Sequence, residues 1–402
     1  MRKSDRWREM KKQGKDDEEI IESFKKKVPM RIFSWKGDID TIMTPMDSIR
    51  YHKSILQAAM MSMTPQTGEV KAWVGGIDYK FFKYDMVKKG KRQIGSTFKP
   101  FVYATAIDQM HMSPCDTLPN TMYTIPAGRH NLLKPWTPKN AGGGYGGMVN
   151  LKYALANSIN TITARLIDRV GPEPVIDLVE KMGVDTKNMP AVPSIALGTP
   201  DVSVFEMVGA YSTFANEGVY VEPILIQRIE DKNGTVLYQN VPKTKDVISN
   251  ETAYVTVSLM EGVTHSGSGS RLRGTGREGS AVYKNAVTGY PYNFKNPIAG
   301  KTGTTQNNSD GWFMGMVPNL VTGVWVGGDD RATHFGSTAY GQGATMALPI
   351  WGMYMKSCYA DEDLNVSTEG FKRPANLSIE TDCSKWREGN PDIEEIPDEF
   401  DF

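Results

Sequence analysis

The order in which strands and helices follow one another constrains the fold of this chain more than any other feature. Two apolar stretches in SILQAAMMSMTPQTGEVKAWVGGIDY flank the turn Pro65–Gly68, which predicts an early β-hairpin. Two more strands, joined at Pro318–Asn319, are predicted in DGWFMGMVPNLVTGVWVGGDD near the other end of the chain. Helical patterns fill most of the chain between these two pairs of strands, so the chain does not alternate between one strand and one helix. This order predicts an α+β fold in which distant segments complete one antiparallel sheet flanked by helices.

The spacing of apolar residues between these strands predicts several helices. One follows Pro100, and others lie in PEPVIDLVEKMGV and in VSVFEMVGAYSTFANEG, which stops at Gly218. A single helical period runs through LKYALANSINTITARLIDRVG, at Leu151, Ala154, Leu155, Ile159, Ile162, Leu166 and Ile167. A second hairpin is predicted in ILIQRIEDKNGTVLYQN, where Asn233–Gly234 supplies a left-handed turn pair.

The composition argues against several classes of function. Lysine plus arginine equals aspartate plus glutamate at 46 each, so the chain lacks the basic excess of a typical nucleic-acid-binding protein. It has no apolar run of roughly 18 residues, and MRKSDRWREMKKQGKDDEE at its start lacks the apolar core of a secretory signal. The five histidines form no HExxH motif and no cluster with cysteine. We therefore expect no metal site, no cofactor and no nucleic-acid partner.

Three cysteines, Cys115, Cys358 and Cys383, lie far apart and form no CxxC motif. The simplest interpretation is three free or buried thiols. At most one bridge could form, and Cys358 with Cys383 is the pair nearest in sequence.

Three polar regions are predicted to be poorly packed. Residues 1 to 28 mix charges of both signs, as in a solvated helix or a mobile end, and residues 361 to 402 are acidic, as in a weakly structured tail. The run HSGSGSRLRGTGREGS fits GxGxxG at Gly274, Gly276 and Gly279, but no strand leads into it. We interpret this run as a flexible surface loop.

Three short motifs carry the chemistry of the chain. They are SxxK at Ser96–Lys99, SxN at Ser158–Asn160 and KTG at Lys301–Gly303, which Thr304 follows. Each is weak alone, and SxxK occurs again at Ser23–Lys26 inside the charged start of the chain. Their combination in this order is the signature of penicillin-recognising serine enzymes.

The residue types of the three motifs fit nucleophilic catalysis. A serine hydroxyl needs a base within hydrogen-bond reach, and Ser96 and Lys99 would share one helix face. Pro100 fits the first turn of that helix, so Ser96 would lie at its positive end. A lysine becomes a base only when its pKa falls, and burial beside a second cation, Lys301, would lower the pKa of Lys99.

The KTGT segment has the features of an edge strand beside a substrate. An edge strand can pair with an extended peptide, and Gly303 would let the substrate backbone approach closely. The hydroxyls of Thr302 and Thr304, together with Lys301, form a plausible site for a carboxylate.

The chain resembles the transpeptidase domain of class A high-molecular-mass penicillin-binding proteins. The resemblance extends from residue 30 to 355 and includes RQIGSTFKPFVYATAI, WTPKNAGGGYGGMVNLKYALANSIN, IALGTPDVSVFEMVGAYSTFANEGVYVEP and GKTGTTQNNSDGWFMGMVPNLVTGVWVGGDD. It implies the penicillin-binding transpeptidase and serine β-lactamase-like fold, with an all-helical subdomain that carries SxN. We accordingly divide the chain into an interdomain linker remnant (1–50), a transpeptidase domain (51–360) and the acidic tail (361–402).

The resemblance implies an activity and a role for each motif. Ser96 would attack the penultimate D-Ala of a peptidoglycan stem peptide ending in D-Ala-D-Ala, release the terminal D-Ala and form an acyl-enzyme. An amine of a neighbouring stem would then complete the cross-link, and β-lactam antibiotics would acylate the same serine. Lys99 would be the base in acylation, and Ser158 with Lys301 would relay the proton to the leaving amine.

The remaining roles concern binding. Asn160 would hold the acyl chain and contact Lys99, and the backbone N–H groups of Ser96 and Thr304 would form an oxyanion hole, worth about 3 kcal/mol per donor. Asn140 and Tyr145 either line the cleft or only pack their own loop. The family also implies a location outside the cytoplasmic membrane and a full-length form with a membrane anchor and a glycosyltransferase domain.

Other functions remain as alternatives. A serine β-lactamase would need a glutamate to activate water, and Glu206 falls in a helix pattern rather than in such a setting. A DD-carboxypeptidase would use the same residues with water as acceptor. A β-lactam sensor or a catalytically silent stem-peptide-binding scaffold would not need the nucleophile and base that this chain contains.

Overall fold

The computed structural model describes residues 1–274 and 292–384, and it confirms the α+β class. The helices of these two ranges are α1 (Asp5–Lys12), α2 (Asp17–Ser23), α3 (Pro45–Ser54), α4 (Lys99–Met110), α5 (Leu151–Ala156), α6 (Asn160–Val170), α7 (Pro172–Lys181), α8 (Val204–Ala215), α9 (Asn250–His265), α10 (Thr338–Gly341), α11 (Gly343–Met346) and α12 (Leu348–Ala360). The strands are β1 (Val28–Ile32), β2 (Ile39–Met43), β3 (Leu56–Met63), β4 (Val70–Val74), β5 (Arg92–Gln93), β6 (Thr117–Pro119), β7 (Met148–Asn150), β8 (Asp201–Val202), β9 (Val219–Val221), β10 (Arg228–Glu230), β11 (Val236–Gln239), β12 (Thr244–Asp246), β13 (Ala299–Thr304), β14 (Asp310–Val317) and β15 (Leu320–Gly328).

One five-stranded antiparallel sheet organises the domain, in the order β13-β14-β15-β3-β4. The early hairpin β3–β4 and the late hairpin β14–β15 join through β3 and β15, which pair from Met63 with Val321 to Leu56 with Gly328. The sequence therefore predicted correctly that distant segments close the sheet. Because β14 is the one strand of the described ranges that pairs with β13, the KTGT segment is an edge strand there, as predicted.

Helices cover both faces of the sheet. On one face α8 packs against β3 and β15, in a core that also includes the helices α4 to α7. On the other face α12 inserts Trp351 against Phe313 and Val324. Within the described ranges, no helix is both long enough and apolar enough to cross a membrane.

The single helix predicted over LKYALANSINTITARLIDRVG is wrong, because the structure contains two helices with a break at Ser158. The break is a Schellman motif: the N–H groups of Ser158 and Ile159 donate to the carbonyls of Leu155 and Ala154. Ser158 occupies the left-handed position, at φ 57°. Glycine is the usual residue there, so a serine costs about 1–2 kcal/mol.

The charged start is helical, as one of the two expectations stated, and this start and the segment up to residue 384 are better packed than the sequence predicted. The charged start forms α1 and α2, which bury Trp7, Ile20 and Phe24 in a small cluster of their own. The segment after residue 361 is not weakly structured as far as residue 384, because Ile379 is buried and the N–H groups of Ser378 and Ile379 donate to Glu251. Residues 385–402 of the predicted tail lie outside the described residues.

The cysteine prediction is corrected. Cys115 and Cys383 form a disulfide across 268 residues of sequence, and the free thiol among the described residues is the buried Cys358. Neither three free thiols nor a Cys358–Cys383 bridge is present. Folding, not proximity in sequence, brings the C-terminal segment to the connection between α4 and β6.

The glycine-rich loop prediction is only partly testable. Residues Ser270–Arg273 form a short 3-10 helix that buries Arg271 and Leu272, so this part of the run is packed rather than a flexible surface loop. Gly276, Gly279 and most of the segment GSAVYKNAVTGYPYNFK lie outside the described residues. The turn at Asn233–Gly234 joins β10 and β11 as predicted, with a positive φ at Gly234 and not at Asn233.

Candidate active site

The structure brings the three sequence motifs together around the hydroxyl of Ser158. Lys301 Nζ donates to Ser158 Oγ at 3.0 Å, and Lys99 Nζ lies 3.2 Å from the same oxygen. Lys99 Nζ also donates to the carbonyl of Ser158 and, at 2.7 Å, to Asn160 Oδ1. One serine hydroxyl thus bridges two buried lysines.

The candidate nucleophile occupies the turn before α4. Ser96 lies in the 3-10 turn Gly95–Phe98, is half-buried, and precedes α4 directly, with Pro100 in its first turn. Among the described residues the Ser96 hydroxyl has no hydrogen-bond partner. Lys99 therefore points to the SxN segment, and the direct Ser96–Lys99 hydrogen bond that the spacing suggested is not formed.

Burial sets the protonation of the two lysines. Both side chains are completely buried. Desolvation, and then the charge of Lys301, holds the pKa of Lys99 well below its ordinary value. Desolvation lowers the pKa of Lys301 to about 7. Burial thus lowers the pKa of both lysines, and a positive charge on Lys301 further favours the neutral form of Lys99.

The edge strand meets the nucleophile turn without any gap. A side chain at Gly303 would lie 2.7 Å from the carbonyl of Ile94 and 2.9 Å from Thr97 Cγ2. The sequence suggested that Gly303 makes room for a substrate. In the structure the absent side chain makes room for the turn that holds Ser96.

The two threonines after Lys301 are engaged differently from one another. Thr302 Oγ1 lies 2.6 Å from the hydroxyl of Ser268, and Thr304 Oγ1 accepts from the N–H of Gly343 at 3.1 Å. Ser268, shortly after the end of α9, is a further residue of this candidate site, and the sequence analysis does not identify it. It lies in the serine- and glycine-rich run that the sequence predicts to be a loop, and no local pattern indicates its contact with Thr302.

A buried ion pair fixes the segment before Ser96 to the sheet. Arg92 Nε donates to Asp310 Oδ1 at 2.7 Å, and Trp325 Nε1 donates to the same oxygen at 2.9 Å. Trp312 Nε1 donates to the carbonyl of Gln93 at 2.9 Å. The sequence did not single out these residues. Removing one partner of such a buried ion pair destabilises the fold by several kcal/mol, so the pair holds the turn firmly.

Glu206 has a structural role. Its carboxylate accepts from the backbone N–H of Ser203, while the Ser203 hydroxyl accepts from the Glu206 N–H, which forms a capping box at the start of α8. Lys91 donates to the other carboxylate oxygen. This glutamate is therefore committed to a helix cap. Among the described residues, no group of histidine, cysteine, aspartate and glutamate is arranged to hold a metal ion.

Comparison with known proteins identifies the family. The model of the penicillin-binding protein transpeptidase domain matches residues 58–342, and the model of the penicillin-binding protein middle domain matches residues 1–56. The chain belongs to this family, as the transpeptidase domain of a class A penicillin-binding protein.

Individual relatives agree with this assignment. Penicillin-binding protein 1A of Aquifex aeolicus is 36% identical over 319 residues, which cover 78% of this chain and 40% of that relative. Penicillin-binding protein 1A of Pseudomonas aeruginosa is 31% identical over 385 residues, or 83% of this chain and 44% of the relative. The chain thus spans less than half the length of these relatives.

Solved structures show the same architecture. Penicillin-Binding Protein 1A from Haemophilus influenzae superposes with a TM-score of 0.66 at 26% identity, covering 81% of this chain and 49% of that one. PonA1 from Mycobacterium tuberculosis, solved in complex with penicillin V, has a TM-score of 0.63 at 22% identity, covers 94% of this chain and 96% of that one, and supports the fold alone.

Proposed function

We propose that this chain is a peptidoglycan DD-transpeptidase that works through an acyl-enzyme on Ser96. The observation that carries the proposal is the Ser158 hydroxyl held between Lys99 and Lys301, beside an edge strand and the serine turn. Burying two lysines side by side costs stability and has no evident structural benefit. A base with a lowered pKa, in contrast, is what a serine nucleophile needs.

We infer the following course of acylation from the chemistry of these residues. Ser96 Oγ attacks the carbonyl carbon of the penultimate D-Ala, and its proton passes to neutral Lys99. The N–H groups of Ser96 and Thr304 stabilise the oxyanion. When the peptide bond breaks, Ser158 passes a proton to the departing D-Ala nitrogen and regains one from Lys99 or Lys301. Thr302 and Thr304 would bind the terminal carboxylate with Lys301.

Deacylation reverses these roles. An amine of a second stem peptide attacks the ester, loses a proton to the lysine–serine relay, and expels Ser96 as the hydroxyl. Water in place of the amine gives the carboxypeptidase side reaction. A β-lactam enters as a mimic of the donor and leaves the serine acylated. In this proposal the domain works on the outer face of the cytoplasmic membrane, where peptidoglycan lies, with the family's anchor and glycosyltransferase in the full-length protein.

Intact mass after incubation with benzylpenicillin, with peptide mapping of the adduct, tests the proposal. One β-lactam on the peptide that contains Ser96, stable for many minutes, supports an acyl-enzyme and excludes an efficient β-lactamase. Drug hydrolysis without an adduct would support the β-lactamase alternative. Intact drug without an adduct would favour a silent scaffold.

The chain supplies its own control, because SxxK occurs twice. Ser96→Ala should abolish labelling by a fluorescent penicillin, whereas Ser23→Ala in the second SxxK should label like the wild type. Ser23 is the last residue of α2, and its hydroxyl donates to the carbonyl of Ile20 in the same helix. Labelling of Ser96→Ala would place the nucleophile elsewhere.

Lys99→Ala tests the base. A general base contributes roughly 10²–10⁴-fold to the rate of a reaction. The rate of acylation near neutral pH should therefore fall by a factor of this size or more. Lys26→Ala, at the lysine of the second SxxK, should leave the rate unchanged. An unaltered rate in Lys99→Ala would remove this residue from the base role.

A further inference from the structure

The helix that carries Asn160 begins without a cap of its own. Ile159, at the N-cap position of α6, has no capping side chain. The N–H groups of Asn160 and Thr161 donate instead to Asn140 Oδ1, at 3.0 and 3.1 Å. A side chain from a loop 20 residues earlier therefore takes the place of the N-cap.

The loop that supplies this cap is itself fixed. Asn140 Nδ2 donates to the carbonyl of Gly144 at 2.8 Å and to Asn120 Oδ1 at 2.9 Å. Asn120 Oδ1 also accepts from the buried hydroxyl of Thr161 at 2.9 Å. Asn140 thus uses both ends of its amide to join the loop to the start of α6.

The residue next to Asn140 determines how the Asn160 amide is oriented. Asn160 Nδ2 donates to the carbonyl of Lys139 at 2.7 Å, which leaves Asn160 Oδ1 to accept from Lys99 Nζ at 2.7 Å. If the amide turned over, its N–H would face Lys99. It would then donate to the lone pair that must accept the proton of Ser96.

We propose that Asn140 is a positioning residue for acylation, which ties the Lys139 carbonyl to α6 and so keeps the oxygen of Asn160 directed at Lys99. This inference rests on the proposed function, because it assigns Lys99 as the base. Asn140 acts through Asn160 and does not touch the reacting atoms. The neighbours of Lys99 Nζ from α6 and the preceding turn are neutral, and within residues 1–274 and 292–384 the charged group that faces it is Lys301 of β13.

Asn140→Ala should slow acylation by fluorescent penicillin by about 10²-fold, the cost of misplacing a catalytic group by roughly 1 Å. It should also move the acidic limb of the rate–pH profile to lower pH. A released Asn160 amide that donates to Lys99 stabilises the neutral amine and so lowers the pKa of Lys99. Titration of active sites with excess drug corrects the rate for any misfolded fraction.

Two variants separate positioning from folding. Asn140→Asp keeps the oxygen that accepts from α6, so it should recover part of the rate and have its acidic limb at higher pH than Asn140→Ala. Asn157→Ala removes an exposed amide that donates to the carbonyl of Tyr153 in its own helix, and it should match the wild type.

The inference is overturned if Asn140→Ala acylates at the wild-type rate. It is equally overturned if the rate falls with an unchanged acidic limb, because a purely structural role would have that effect. Absence of a Ser96 adduct in the wild type would instead reject the proposed function, so the two failures are distinguishable.

Discussion

At the scale of single residues, the unusual feature is a lysine whose neighbour is another lysine. Lys99 and Lys301 share the hydroxyl of Ser158 and are both completely buried. Two cations in one dry site would repel strongly, so the cheapest state has one of them neutral. Desolvation lowers the pKa of Lys301 to about 7 and holds the pKa of Lys99 well below its ordinary value, and the charge of Lys301 also lowers the pKa of Lys99. The proposed function assigns Lys99 as the lysine that loses its proton.

Replacement of Lys301 should expose this coupling. In Lys301→Ala the positive charge is gone, so the pKa of Lys99 rises toward its ordinary value and the acidic limb of acylation moves to higher pH. The plateau rate should also fall, by roughly 10²-fold, because the relay loses a proton donor. Acylation of Ser96 by benzylpenicillin, measured across pH, checks both effects.

Lys71→Ala is the matched control, since Lys71 is exposed and paired with Glu69. It should leave the profile unchanged. If the acidic limb of the Lys301→Ala rate–pH profile stays in place or moves to lower pH, then Lys301 does not depress the pKa of Lys99.

At the scale of elements, the site depends on how closely β13 approaches the serine turn. Gly303→Ala would place a methyl group 2.7 Å from the Ile94 carbonyl and 3.0 Å from Trp312 Cβ. We expect a loss of about 1–3 kcal/mol of stability from overpacking, and acylation slower by roughly 10²-fold because Ser96 is displaced. Urea unfolding and the acylation rate measure the two effects separately.

Gly336→Ala provides the comparison, because no atom lies within 4 Å of a side chain placed there. It should change neither quantity appreciably. If Gly303→Ala kept full activity and stability, the contact between strand and turn would not be what requires glycine at this position.

Sequence patterns predicted the elements whose periodicity is local and missed those set by tertiary packing. The hairpins β3–β4 and β14–β15 follow from turn residues between apolar runs. The break at Ser158 carries serine where a Schellman motif normally has glycine, so no signal marked it. Helix α9 was also missed, because it packs against α4, α5 and β13 and is buried on several faces, which removes the amphipathic period.

The same contrast between local sequence patterns and tertiary packing applies to the residues of the site. The three motifs and the cation pair could be inferred from residue chemistry, because a serine nucleophile, a base and a second cation each require the others. Ser268 and the Arg92–Asp310 pair could not, since their partners lie on segments that only the folded chain brings together.

At the scale of the whole molecule, the disulfide joins the end of the described chain to the connection between α4 and β6. Cys115 follows α4, and Cys383 follows a segment that Ile379 and the bonds from Ser378 to Glu251 attach to the domain. Spacing of cysteines in sequence could not reveal this pairing, because the connectivity depends on the fold. The bridge closes most of the chain into one loop, so it restricts the unfolded state strongly.

Loss of this bridge should destabilise the domain by roughly 2–4 kcal/mol, the usual range for a native disulfide. Urea unfolding followed by tryptophan fluorescence should show a lower midpoint for the reduced protein. The double variant Cys115→Ser/Cys383→Ser should match the reduced wild type and should not respond to reductant. Thiol titration of the oxidised, denatured protein should find Cys358 alone. Three reactive thiols there, or a midpoint that reductant does not move, would mean that packing of Ile379 and the hydrogen bonds to Glu251 hold the C-terminal segment without a covalent link.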